Sequence, residues 1–188
     1  MGLLFGLLPP LLALGVVSAD EVTTVPSVDL ERYAGKWFEV ARLPTRFQKD
    51  CIGATAEYRL LDERKVQVIN TCYRSDGTVR DIEGVARVVD PSGAKLEVRF
   101  DNFFFKLFGW LVKPNYWILD LAEDYGYAVV GSPDRKYLWV LSREPTMDEA
   151  LYERLMERAA AQGFDVERIL RTEVPESAQR DEKTEGSS

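Results

Sequence analysis

The residues able to do chemistry in this chain are few. Its 188 residues include no histidine, which removes His-based triads, His-ligated zinc and His-ligated haem and leaves carboxylates, tyrosines, lysines and two cysteines. Cys51 and Cys72 form an even pair, and in an exported chain such a pair forms a disulfide more often than a reactive site. The carboxylate of interest is Glu39, inside the stretch Gly35-Lys36-Trp37-Phe38-Glu39-Val40-Ala41-Arg42. Alternation of large apolar with polar or small side chains suits a strand, whose successive residues point to opposite faces. The face that takes Trp37 then also takes Glu39 and Ala41. A carboxylate buried there needs an internal arginine, a raised pKa or a ligand head group. As a general acid it would stand alone among apolar walls, so the chain reads as a non-enzyme with no catalytic residue, no metal and no cofactor.

Composition sets the frame for these residues. With 46% hydrophobic residues, the chain is long enough for one domain with a sizeable core and too short for two comfortable ones. A formal charge of -7 argues against nucleic acid as a partner, because phosphate backbones are held by clustered Lys and Arg.

The strands that must position the site follow one another closely. After a first strand over 36–43 come Ala54 to Leu60 and Val66 to Cys72, joined by the charged turn Asp62-Glu63-Arg64-Lys65, which makes a hairpin. Antiparallel pairing across that turn brings Cys51 near Cys72 and makes their disulfide sterically reasonable. Turns at Ser75-Asp76-Gly77 and Asp90-Pro91-Ser92-Gly93 bound further strands over 78–89 and 94–100, and three more are expected over 115–121, 127–130 and 137–142. The expected fold class is all-β: an eight-stranded antiparallel up-and-down barrel, which closes on itself and leaves no exposed edge, with one C-terminal α-helix packed on its outside. That helix is expected over 147–161, with Thr146 as N-cap and Glu149 completing a capping box, and with Leu151, Leu155 and Ala159 as its apolar stripe.

Gly35 and Trp37, then Asp124 and Tyr125 at a turn, then Arg143 closing the last strand, give the order Gly-x-Trp, x-Asp-Tyr and terminal Arg. In a chain of this length that order resembles the lipocalin family, and the run from Pro114 to Pro175 is similar to its bacterial outer-membrane and plant temperature-induced branch. The resemblance covers roughly residues 28 to 175 and implies that Arg143 stacks on Trp37 to seal the closed end. It further implies storage or transport of a lipid, a lysophospholipid or fatty acid, in envelope maintenance under stress. The competing readings are a lipocalin-fold enzyme acting on a lipid and a protein-interaction module.

A ligand in such a barrel meets the inward side chains. Strand alternation assigns Glu39, Ala41, Ala54, Ala56, Tyr58, Val68 and Asn70 to this set, and the alanines leave volume that larger residues would fill. Trp117 and Trp139 join them, although both faces of 115–121 are apolar and its parity is open. The apolar loop around Phe104, Phe105, Phe108 and Trp110 borders the mouth, where it could close over a lipid, touch a membrane peripherally or contact a second copy in a homodimer.

Residues 1–19 read as a signal peptide, apolar from Gly2 to Val17 and cleaved after Ala19, with 20–27 an extended leader, 28–175 the domain and 176–188 a disordered tail. In the bacterial branch a cysteine just after the signal is acylated, and here no cysteine precedes Cys51. The expectation is therefore an exported protein of the periplasm or outer-membrane surface without a lipid anchor.

Overall fold

The computed structural model of the chain describes residues 21–100, 115–176 and 179. A short helix, α1 (Leu30–Tyr33), leads into β1 (Gly35–Arg42), β2 (Cys51–Asp62), β3 (Lys65–Arg74), β4 (Val79–Val88) and β5 (Lys95–Phe100). Then follow β6 (Asn115–Leu121), β7 (Tyr127–Gly131), β8 (Leu138–Ser142), the helix α2 (Glu149–Ala161) and a two-residue strand, β9 (Leu170–Arg171). Sequential antiparallel pairing runs from β2 to β8, β8 pairs with β1, and β1 returns to β2. The eight strands thus form the expected closed barrel.

Two layers of core follow from the period-two alternation. Inward side chains including Trp37, Ala56, Tyr58, Val66, Val68, Val98 and Val130 pack on one another inside the barrel. Outward side chains including Val40, Leu43, Val129 and Val140 meet Tyr152, Leu155 and Ala159 of α2. The apolar stripe of α2 therefore holds the helix on the outside of the barrel. Its cap differs from expectation: the helix starts at Glu149, and the Asp148 carboxylate, not Thr146, accepts from the Leu151 amide at 2.9 Å. An ionised carboxylate also complements the positive helix N-terminus, which a threonine hydroxyl does less well.

Two features were not expected. The β1–β8 register shifts between Glu39 and Ala41, so β1 carries a bulge, which bends a strand and re-aims its side chains. The lower half of β1, from Gly35 to Phe38, pairs with β2, whereas Ala41 and Arg42 pair with β9. A C-terminal strap thus fills the gap where β2 diverges from β1. The Thr172 amide donates to Val40 O at 3.0 Å and the Glu173 amide to Ile52 O at 3.1 Å. Only a glycine admits this strap at position 53, because a Cβ there would lie 2.1 Å from the Glu173 carbonyl oxygen.

Candidate functional site: the barrel interior and its mouth

The closed end is built around Trp37, which is fully buried and donates from Nε1 to Tyr33 O at 2.9 Å. The Arg143 guanidinium lies 3.8 Å from the indole centroid and donates to the carbonyls of Lys36, Ala34, Arg32 and Tyr33 at 2.7 to 3.1 Å. Gly35 permits this approach, with φ at +95° and a virtual Cβ 3.3 Å from Arg143 Nη1. Asp124 accepts from the Gly126 amide at 2.9 Å. Tyr125, at φ 64°, accepts from the Asp29 amide at 2.9 Å and lies under the Arg32 guanidinium. Tyr125 therefore ties the chain ahead of α1 to the floor as well as forming a turn.

Above this floor the interior is solid. Tyr116 hydrogen-bonds through its hydroxyl to those of Tyr33 at 2.7 Å and Tyr58 at 2.8 Å. Burial pushes the Tyr58 phenol up to about 12 and those of Tyr33 and Tyr116 well above the usual tyrosine range. The space left between these rings and Leu30, Leu96 and Val98 is ≈ 10 Å³, about one water-sized sphere. Small side chains at Ala56 and Ala86 are offset here by bulky tyrosines. The expectation of free volume around Tyr58 and Val68 is corrected for this lower half.

The upper half differs. Along β3 the inward register runs Val66, Val68, Asn70, Cys72, Arg74; the first two are buried and the last three only half-buried. Ile82 on β4, Phe100 on β5 and Trp139 on β8 are likewise half-buried. Solvent therefore reaches the inner face progressively toward the end opposite Trp37. Ala54 lies in this half, with Ala56 at its base, paired with Cys72 and Asn70 respectively.

The bulge in β1 decides what else enters this half. It sends Ala41 outward into the layer beneath α2 and brings Arg42, buried at 3% exposure, to the inside. Ala41 is thus not an interior residue. Trp117 is not one either: it packs in the outer layer, with Lys95 Nζ 4.1 Å over its ring. Glu39 does face inward and finds the internal arginine its burial requires, pairing with Arg42 Nη1 at 2.5 Å. Its other oxygen accepts from Gln48 Nε2 at 2.8 Å. Arg42 Nη2 donates to the carbonyls of Gln48 and Cys51 at 3.0 and 2.8 Å, and Trp139 Nε1 donates to Gln48 Oε1 at 3.1 Å. Gln48, from the β1–β2 loop, thus ties a polar cluster into the wall. Beside it Tyr137 stacks on Trp139 at 5.7 Å and Phe47 sits 5.9 Å from Tyr137, with Phe47 64% exposed.

Cys51 and Cys72 form the expected disulfide, with Cα atoms 5.4 Å apart. It fastens the start of β2 to β3 beside the mouth. Phe104, Phe105, Phe108 and Trp110 lie outside the described residues. Phe47 and Gln48 belong to the 44–50 connection, which is long for a hairpin and so a candidate functional loop; Arg42 and Tyr137 were not anticipated. Nothing local marked Arg42, which an unbroken strand would place opposite Glu39.

A closed antiparallel barrel with a sealed floor, a disulfide-fastened mouth and an external helix defines a class of small hydrophobic-ligand carriers. The family model described as a lipocalin-like domain matches residues 28–174, and the chain belongs to the lipocalin family. It is 37% identical over 156 residues to temperature-induced lipocalin-1 of Arabidopsis thaliana, covering 81% of this chain and 82% of that one. To the outer membrane lipoprotein Blc of Escherichia coli strain K12 it is 36% identical over 158 residues, covering 83% and 85%. Among solved structures, insecticyanin from Manduca sexta shares the fold with a TM-score of 0.62 at 22% identity, over 85% of this chain and 87% of that one.

Proposed function

We propose that this lipocalin stores or carries a lipid, a lysophospholipid or a fatty acid, in the upper half of its barrel. The observation that carries the reading is the change along the inner face, from a solid tyrosine-filled base to an upper half where Asn70, Cys72 and Trp139 are only half-buried beside the small, buried Ala54. An acyl chain of about 14 methylenes gains up to about 11 kcal/mol gross at about 0.8 kcal/mol each, from which several kcal/mol of immobilisation are subtracted. The tyrosine base shortens the cup, so the outer methylenes lie against Trp139, Tyr137 and Phe47. Binding rather than turnover fits a family whose members are typically carriers. The Cys51–Cys72 disulfide supports an oxidising, exported setting, and likeness to an outer membrane lipoprotein supports a role in envelope maintenance under stress.

Native mass spectrometry of protein made with export, followed by denaturing extraction, tests this directly. Co-purified lysophospholipid or fatty acid is expected in the parent and absent from A54W and A56W variants that retain the disulfide and the barrel's circular dichroism. A ligand-free parent that takes up no added lysolipid would refute the reading.

A further inference from the structure

Among the described residues, three arginines reach the inner face of the cup near its mouth. Arg74 ends β3 on the inner-face register of Asn70 and Cys72, and Arg80 on β4 is the partner of Cys72 on the same face. Arg74 is half-buried, and its Nε is shielded from solvent without a hydrogen-bond partner. Arg80 is exposed at the rim. Arg42 joins them through one rung of the ladder: its Nη2 donates to the carbonyl of Cys51, whose Cα partner is Arg74. The Nε of Arg42 is also buried without a partner.

Among the described residues, the carboxylates near these arginines already have partners. Both oxygens of Glu39 are taken, by Arg42 and by Gln48. Asp76 accepts from the hydroxyl and amide of Thr78, at 2.6 and 2.9 Å, and those bonds, more than Arg74, hold its carboxyl below the usual range. On the loop beside Cys51, Lys49 and Asp50 offset each other. Glu39 thus neutralises Arg42, Asp76 keeps its charge and offsets Arg74 only in part, and Arg74 and Arg80 stand together on the inner rim. A buried guanidinium N–H without an acceptor is costly, and an ionised oxygen is its strongest partner.

Resting on the lipid-carrier reading, we infer that Arg74 and Arg80 form an oxyanion subsite at the mouth that selects amphiphiles with an anionic head group, carboxylate or phosphate, over neutral ones. The tail points down toward Tyr58 and Tyr116, because the walls there are apolar, and the head stays level with the two arginines. In this arrangement Arg74 reads charge while Ala54 and Trp139 read chain.

Titration of the exported protein, below micellar concentrations, with oleate, oleoyl lysophosphatidate, oleoyl lysophosphatidylcholine and oleyl alcohol tests the subsite. At least one of the two anionic ligands is expected to bind about tenfold tighter than the alcohol, as for a charge-assisted hydrogen bond, and the advantage should shrink as salt is raised. The tighter of oleate and lysophosphatidate names the head group. Arg74→Gln and Arg80→Gln should each bring that ratio toward unity, whereas Arg87→Gln, on the outward face of β4, should leave it as in the parent. Equal affinity for both anions and the alcohol, or a ratio insensitive to Arg74 and Arg80 in folded variants, overturns the subsite and leaves the carrier reading standing. Failure of every amphiphile to bind overturns both.

Discussion

Tyr33, Tyr58 and Tyr116 occupy the space that the interior alanines were expected to leave, and they do so as a hydrogen-bonded group. Each hydroxyl has a partner, so the polar atoms are buried without the penalty of unmade bonds. Their neutral forms are favoured by burial, with Tyr58 pushed up to about 12 and the other two higher than ordinary phenols. For an acid whose folded pKa is raised, the unfolded chain releases its proton first, at about pH 10. The contribution to stability is therefore full below about pH 10 and is lost as pH rises toward the folded values. An alkaline titration should show the exposed tyrosines ionising early and these three ionising together with unfolding, as read by tyrosinate absorbance and circular dichroism on one sample. Ionisation of all 8 tyrosines before any loss of structure would contradict the buried trio.

The C-terminal strap is the element whose placement the barrel most depends on near its mouth. It covers Phe38 and Tyr73 with Val174, and through Thr172 it donates to Val40 O from its amide and to Glu39 O from its hydroxyl. The backbone holding Glu39 in register with Arg42 is thus braced from outside. Because the strap passes over Gly53 at backbone contact, a side chain at that position must displace it. Gly53→Val is expected to leave the barrel formed while raising amide exchange at Thr172 and Glu173 by at least about tenfold, a local opening rather than a global one. Hydrogen exchange read residue by residue checks this; unchanged protection of both amides would show that the strap is not held by that passage.

Across the whole molecule, one covalent link joins strands that the hydrogen-bond ladder already aligns. The disulfide spans a sequence separation of 21 residues, and closing a loop of this length is worth about 3 kcal/mol in the chain-entropy account, whose mechanism is debated. Reduction, or a Cys51→Ser, Cys72→Ser double variant, should lower the urea midpoint accordingly without changing the fold, since the β2–β3 ladder continues from Ala54 to Asp62. Equilibrium unfolding with and without reductant measures the difference. An unchanged midpoint would mean that the cross-link restrains little in the unfolded chain.

Much of this molecule was legible from local pattern alone. Alternation set the strands, Asp- and Gly-bearing turns set their order, and the stripe Leu151, Leu155 and Ala159 with the paired cysteines fixed the helix and the cross-link. These are short-range properties, carried by a few adjacent side chains. Which face of a strand looks inward is a property of its ladder with other strands. Both faces of Asn115–Leu121 are apolar, so only pairing with β5 and β7 turned Trp117 outward. The bulge after Glu39 exchanged Ala41 for Arg42 inside the barrel, and with it an expected apolar wall became a charged one. The inner-rim register shared by Arg74 and Arg80 likewise arises from pairing between β3 and β4, because residues six apart in sequence become neighbours only when a sheet brings them together.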